Sequence, residues 1–421
     1  MATNATNLLT PVLNDRTRSI NFFNGRLLTG EDLTAEQKAN RAAHALLGQA
    51  AGSGVAYGLT VSESPLLSSI PSPVVTITPG LAVNPNGGIL LLDAPANVSL
   101  VRPDTTAAGT PATFQECTPI QPGVYIAGAG VYLLTIGPAS ANQGLAEVSG
   151  VSTAAAACNS RYKADGVQFR LVQIDLSLAE VSDVNRLRNL VAYKCFGVAD
   201  WAADVTDPFS TPRPGHGLID QLRAAGTVTG CEVPLATLFW TATGGLVFID
   251  LWSVRRALLS KDLLDLFAPG AGARRASEGL AMFLQFERHL KDLLTPATGP
   301  TLMANQFFRY LPPVGIVPIG GIGASQGIAQ QTFFTGITFR RPQFMEGARL
   351  GDLVREAFLY PPVDVTDKVM VWLYWVRENM QALNSGAANV PNGYIVFASG
   401  QVPNFGYPHF DVNRWSYSTY A

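Results

Sequence analysis

The order of apolar and polar positions divides the chain into a helical start, a strand-like middle and a mixed end. Residues 1–28 hold asparagines, threonines and a proline without periodic pattern and read as an extended arm that orders on a partner. Residues 33–47 are rich in alanine, leucine and charge and lack proline, which predicts a helix over 31–47. Thr29, with Asp32 three residues on, gives a capping-box-like start. Glu31 and Asp32 put negative charge in the first turn, where the helix dipole favours it. Ala35, Ala39, Ala42 and Ala43 give the helix a thin face suited to close packing.

From about 55 to 192 the pattern becomes β-like. Short apolar or alternating runs fall at 55–62, 73–78, 88–93, 97–101, 124–127, 130–136 and 166–175, separated by Pro-Gly, Asn-Gly and Gly-Gly turn signals. Strands at that spacing predict a sandwich or barrel. Residues 138–165 are alanine-rich and weakly patterned, which reads as a long contact-forming loop. Residues 199–217 read as a linker.

Beyond it, 235–241 and 246–252 flank Gly244-Gly245 as a hairpin. Residues 277–294 predict an amphipathic helix with Leu280, Phe283, Leu284, Glu287, Leu290 and Leu294 at helical spacing. A Pro/Gly-rich apolar loop is expected at 311–331. A strand-like run at 332–339, a helix at 347–358, an aromatic strand at 369–376 and a last strand at 394–398 follow. The expected fold class is mainly β with α+β portions. The division is a 1–54 arm and docking helix, a 55–198 β-rich sandwich or barrel-like domain, the 199–217 linker and a 218–421 α+β domain.

Composition narrows the function. Of 421 residues, 47% are hydrophobic and 14% charged, with Gly 40 and Pro 28. Few charges and many turn formers suit a β-rich structural subunit whose surface is covered by neighbours. A net charge of −2 leaves no electrostatic footprint for nucleic acid. Arg255-Arg256, Arg274-Arg275 and Arg340-Arg341 read as solvated or ion-paired. The longest apolar stretch, 235–254, is broken by Gly244-Gly245 and contains Asp250, so no membrane insertion is expected. Residues 1–20 carry no continuous apolar run, which implies synthesis in the cytoplasm without a signal peptide.

Chemical motifs are sparse. Cys117, Cys158, Cys195 and Cys231 lack metal-ligand spacing and read as buried free thiols, with a Cys117–Cys158 bridge as the alternative. His44, His216, His289 and His409 are scattered, so no metal or cofactor is expected, and His44 and His289 read as polar-face or cap residues. Gly323-Ala324-Ser325-Gln326-Gly327 matches a nucleophile elbow, with Asp352, Asp364 or Asp367 and His409 downstream. Glycines and Pro318 around it read as a loop, without the strand and helix an elbow needs. The carboxylate pairs Glu31-Asp32 and Asp262 with Asp265 read as helix starts or solvated faces. Trp372, Tyr374 and Trp375 lie on one strand and read as core. Their alternative role is that of ligand-facing aromatics for a sugar or a subunit.

One ordered series stands out. Asn21-Phe22-Phe23-Asn24-Gly25-Arg26-Leu27-Leu28 runs into the helix start, Gly30-Glu31-Asp32-Leu33-Thr34-Ala35-Glu36-Gln37. Then come Gly54-Val55-Ala56-Tyr57-Gly58-Leu59-Thr60-Val61 and Pro79-Gly80-Leu81-Ala82-Val83-Asn84-Pro85-Asn86-Gly87. This series resembles the amino-terminal modules of tail-fibre and baseplate-associated proteins of phages and phage-tail-like contractile injection systems. The resemblance covers residues 20–92 and departs at Asn84-Pro85-Asn86-Gly87, where an acidic residue is usual.

It implies a non-enzymatic structural subunit of such a particle, at the baseplate, fibre attachment or periphery, without cofactors. Phe22, Phe23, Arg26, Leu27, Leu28 and Leu33 would dock it. Its partners would be other tail or baseplate proteins and further copies of the chain, a trimer or a multiple of three. The particle would act outside the cell. The alternatives are a carbohydrate-binding module for cell-surface glycans and a serine hydrolase using Ser325.

Overall fold

The structure is a computed structural model. It describes residues 19–21, 23–101, 124–146, 159–176, 183–200, 217–258, 272–294, 298–319, 327–345, 349–367, 370–376 and 393–400. The fold is mainly β with α+β portions, as the sequence predicts.

Helix α1 (Gly30–Ala51) leads into six short strands: β1 (Gly54–Gly58), β2 (Val61–Glu63), β3 (Val74–Ile77), β4 (Gly80–Val83), β5 (Ile89–Leu92) and β6 (Ala96–Ser99). They form two small antiparallel sheets, ordered β1-β4-β5 and β2-β3-β6. Strands β7 (Gly130–Ala146) and β8 (Asn159–Ile174) follow, then helices α2 (Val184–Phe196) and α3 (Leu218–Ala224), then β9 (Val233–Thr241) and β10 (Gly245–Asp250). These four strands make one sheet, ordered β10-β9-β7-β8. The expected hairpin at Gly244-Gly245 is its β9–β10 edge.

Alternation along β7 explains the layering. Tyr132, Leu134 and Ile136 point into a core shared with Val55, Leu59, Val75, Ile77 and Leu90 of the small sheets. Val131 and Leu133 point the other way, onto Leu187, Val191 and Cys195 of α2 and Ile219 of α3. The four-stranded sheet is thus the middle of three layers. It also joins strands from both sides of 199–217, so the expected 55–198 and 218–421 halves share a sheet and a core.

The second half adds α4 (Gly272–Leu293), α5 (Ala304–Phe307), β11 (Tyr310–Leu311), β12 (Val314–Ile319), α6 (Gln330–Phe333), β13 (Thr338–Phe339) and β14 (Gln343–Phe344). Helix α7 (Leu350–Ala357) and strands β15 (Val363–Asp364), β16 (Met370–Val376) and β17 (Gly393–Ala398) complete it. A sheet ordered β12-β17-β16-β13 is covered on both faces. Val317, Val371, Leu373 and Phe397 meet Phe286 and Leu290 of α4 on one side. Val314, Tyr374 and Val396 meet Leu353 and Ala357 of α7 on the other.

Four sequence expectations are corrected. The loop expected over 138–165 is replaced, across 138–146 and 159–165, by the outer rungs of β7 and β8, paired from Val131↔Ile174 to Ala146↔Asn159. The β-like stretch expected to reach 192 contains α2, started by Asp183, which accepts from Asn185 N at 2.8 Å, and closed by Gly197 in the left-handed region. The apolar loop expected at 311–331 contains β12, where Pro318 is tolerated because β12 is an edge strand. The run 332–339 is strand only at Thr338–Phe339.

A buried polar knot ties the two halves together. Asp250, at the end of β10, is 1% exposed. It accepts from Arg188 Nε of α2 at 3.1 Å and Gln285 Nε2 of α4 at 3.0 Å, and from the backbone of Trp252 and Ser253. Arg188 also donates to Asp292 on α4 at 2.7 Å. Tyr310 Oη donates to Gln285, and Asn189 accepts the backbone N–H groups of Arg309 and Tyr310. Asp250→Ala is expected to destabilise by roughly 3–5 kcal/mol, because it leaves Arg188 buried without its main counter-charge. Chemical denaturation of the full chain measures it.

Two ionisable groups on α4 give opposite pH slopes. Burial raises the Glu287 carboxyl to about 7, against the Ile316 N–H it accepts at 2.8 Å. Burial, helped by the Arg188 charge, lowers His289 to about 3. The sequence placed His289 on a polar face or cap. It is instead fully buried against Phe308, and neither ring nitrogen has a hydrogen-bond partner. Glu287 holds its proton more tightly when folded, so its contribution is present below 4.5 and lost as pH rises through about 7. The His289 contribution is present above 6.5 and lost as pH falls toward about 3. Between 4.5 and 6.5 the slopes oppose. Glu287→Gln keeps an acceptor for Ile316 and removes one slope. Its melting temperature is expected to fall more steeply than that of the wild type on acidification across this window, as thermal melts at stepped pH will measure.

Candidate functional site

The start of α1 is closed by local polar bonds. Thr29 Oγ1 accepts from Asp32 N at 3.2 Å, and Asp32 Oδ2 accepts from Thr29 N at 3.0 Å, a complete capping box. Arg26 donates to Asp32 at 2.8 Å and to the carbonyl of Asn21 at 2.8 Å. The Thr29 backbone N–H first, with the Thr29 hydroxyl and Arg26 adding to it, lowers the Asp32 carboxyl below its ordinary value. Ile20 N reaches Glu36 at 3.1 Å. The arm therefore folds back on the first turns of α1, and Arg26 acts within the chain.

The apolar residues around that clasp remain uncovered. Phe23 is 63% exposed, Leu27 89%, Leu28 53% and Leu33 52%. Phe22 lies outside the described residues. No residue of α1 is buried. Leu46 and Leu47, near its other end, are also exposed.

A stripe of small residues seats α1 on the body. Ala39, Ala42, Ala45 and Gly48 are half-buried, while Ala35 and Ala43, expected on the packing face, are exposed. The stripe meets the β4–β5 turn, where the sequence departs from the pattern it otherwise resembles. A Cβ on Gly48 would lie 2.1 Å from the Gly87 carbonyl oxygen. Gly87, at φ +82°, approaches the Ala45 carbonyl so closely that its own Cβ would lie 1.8 Å away. Gln49 donates to the Asn86 carbonyl at 3.0 Å. Asn84 ties the turn inward to the Cys231 carbonyl at 3.1 Å. The Arg41–Asp165 pair, at 3.3 Å, is exposed on both sides and contributes little.

The neighbouring sheet adds an apolar face that sequence reading did not single out. In β5, Leu90 is buried, but Ile89 is 65% and Leu91 46% exposed. Leu91 pairs through Leu81 with exposed Tyr57 across the sheet. The signal was present as Ile89-Leu90-Leu91-Leu92, a continuous apolar run where a half-solvated strand would alternate.

The other candidates do not converge on a site. Tyr374 is 2% exposed and belongs to the core under α7. Trp372 and Trp375 are half-buried and pack against the two cores of that sheet, with Arg340 over the Trp372 ring. Ser325, His409, Asp262 and Asp265 lie outside the described residues. Asp364 is engaged by Arg309 at 2.6 Å and by Tyr193, and Asp352 by Arg355.

Among the described residues, no group of three or more His, Cys, Asp or Glu could hold a metal ion. No described helix is long and apolar enough to cross a membrane. Cys195 is a free thiol whose burial raises it to about 12. Cys231 is disulfide-bonded, which corrects the reading of all four cysteines as free thiols, while Cys117 and Cys158 lie outside the described residues.

No family model and no curated protein matches the chain. Among solved structures it is similar to the crystal structure of TssK, at 9% identity and a TM-score of 0.21, over 49% of this chain and 53% of that one. The match therefore spans about half of that protein, and a likeness this slight carries no functional argument.

The Gly48–Gly87 contact yields a direct expectation. Gly48→Ala should lift α1 from the turn without touching the cores. Amide hydrogen exchange over 30–51 should accelerate, while β7 and β9 keep their protection. Unchanged protection of α1 would show that the helix is not seated by this contact.

Proposed function

We propose that this chain is a non-enzymatic structural subunit of a phage tail or a contractile injection particle, acting by assembly at the baseplate, at a fibre attachment or in a peripheral position. One observation carries the reading. A 22-residue helix without a buried residue stands beside a row of exposed apolar side chains at Phe23, Leu27, Leu28 and Leu33. Helices in proteins owe most of their stability to packing, and among the described residues this one meets its own body through half-buried small residues, the Gln49–Asn86 bond and an exposed ion pair. Burying one such leucine or phenylalanine on a partner contributes on the order of 1.5–3 kcal/mol. Ile89, Leu91 and Tyr57 add further exposed apolar side chains on the β1-β4-β5 sheet.

The family-like series over 20–92 supplies the kind of particle. Other tail or baseplate proteins would cover this surface. Copies of the chain, arranged as a trimer or a multiple of three around the particle axis, would complete the assembly, which would act outside the producing cell. No observation among the described residues favours the glycan-binding or hydrolase readings.

The test is a triple variant, Leu27→Ser, Leu33→Ser and Leu47→Ser. All three side chains are exposed, so each change is expected to stay within about 0.5 kcal/mol of wild-type stability. The folded variant is expected to be missing from purified particles that retain their other components. Incorporation at wild-type copy number, scored by quantitative mass spectrometry, would refute the reading.

A further inference from the structure

A cavity of about 380 Å³ lies where the end of α1, the β4–β5 turn, α3, the segment after β10 and the first turns of α4 meet. Its volume falls in the range of small-molecule sites. One wall is apolar, with Pro85, Val233, Pro234 and Val254. The lining also carries Arg223, Arg256 and Arg274 with two carboxylates, Asp220 and Glu278.

The pairing of these charges is uneven. Arg274 donates Nε to Glu278 at 3.0 Å and Nη2 to Asp220, so it engages both acids. Arg223 has only a loose approach to Asp220 at 3.9 Å, and its buried Nε has no hydrogen-bond partner. Arg256 spends Nη1 on backbone carbonyls, 3.0 Å from that of Arg255 and 3.5 Å from those of Trp252 and Ser253. Its guanidinium stacks 4.5 Å over the Phe196 ring, and its Nε and Nη2 keep their donors free. Burial lowers both Arg223 and Arg256 below their ordinary values, and the nearby Arg274 charge adds to this. Arg223 is still 35% exposed along its side chain and Arg256 is half-buried, so water reaches part of each fork, but Arg223 Nε is closed off from solvent without a partner, which a fold seldom leaves so. The sequence reads Arg256 and Arg274 as solvated or ion-paired; Arg274 is ion-paired, and sequence reading did not single out Arg223. Arg255, the neighbour, lies outside the cavity lining and gives two donors to the carbonyls of Gly58 and Leu59, while its Nε is also buried without a partner.

We infer that this cavity binds an oxyanion, a phosphate or carboxylate group on a small apolar body, held by the free donors of Arg223 and Arg256. Guanidinium forks match both groups bidentately. The apolar wall would take the body of the ligand, and Arg274 would hold the acids away from it.

The test titrates the full chain by calorimetry with phenyl phosphate, benzoate and inorganic phosphate, at constant ionic strength set with chloride. Saturable binding of any one of them, at one site per chain, is expected. Arg223→Met is expected to weaken it about tenfold or more, the loss of one charge-assisted bond. Without ligand this variant should melt at or above the wild-type temperature, because Arg223 has no hydrogen bond to lose. Arg355→Met, an exposed arginine elsewhere, should bind as the wild type does.

Several outcomes would overturn the inference. One is the absence of saturable heat with all three anions. Another is equal weakening in Arg223→Met and Arg355→Met, which assigns the heat to surface charge. A third is a ligand-free Arg223→Met that melts well below the wild type, which means that Arg223 already has its partner. Arg256→Gln gives the independent arm, and unchanged affinity in it would also count against the site.

Discussion

The two halves of the molecule are held in one arrangement by a carboxylate that cannot reach water. Asp250 terminates a strand of the first sheet, yet its oxygens are filled by Arg188 of α2, Gln285 of α4 and two backbone amides. Arg188 then reaches a second acid on α4, and Gln285 passes the network to Tyr310. A buried ion pair of this kind contributes little net stability beside an apolar substitute, but it accepts very few geometries. It fixes the register of α4 against both sheets.

Once α4 is placed, the packing around it follows. Phe286 and Leu290 face the C-terminal sheet, Ala281 and Met282 face α2 and Tyr310, and Phe283 meets Phe358 near α7. The helix is apolar on several sides, with Gln285, Glu287 and His289 enclosed among them. A second closed set, the bidentate Arg170–Glu232 pair with Thr135 and Thr229, pins β8 and β7 to the approach of β9. The interior is thus specified by polar bonds as well as by volume. By contrast, α1 is attached through backbone proximity and small side chains, and presents its leucines outward.

This contrast explains what was legible in the sequence. The hairpin at Gly244-Gly245 and the strand through Trp372 announced themselves because they alternate or run apolar between turn signals. Helix α2 did not, because Arg188 and Asn189 are buried polar residues that break its apolar stripe. The outer rungs of β7 and β8 did not, because they are small and polar, and a ladder of backbone bonds leaves no pattern of side chains. At the candidate site, the apolar arm and capping box could be read directly. Its seat could not, since a glycine–glycine contact looks in sequence like any turn. The burial of Arg255 and half-burial of Arg256 were also hidden, because a pair of arginines reads as surface until the carbonyls around it are known.

The β7–β8 ribbon has a mechanical meaning. Beyond Gly137 and Gln168 it continues to Ala146 and Asn159 without a third strand of the sheet alongside. At about 3.3 Å per residue, such a ribbon reaches roughly 30 Å from its root. That root is interior, because β7 lies between β8 and β9. A pull at the far end draws both strands the same way, leaves their mutual rungs unsheared and passes the load through the β7–β9 bonds to the middle of the sheet. A sideways push bends the ribbon about its root instead. The molecule therefore carries an arm that is stiff along its length and yielding across it, anchored in the layer between its two first cores.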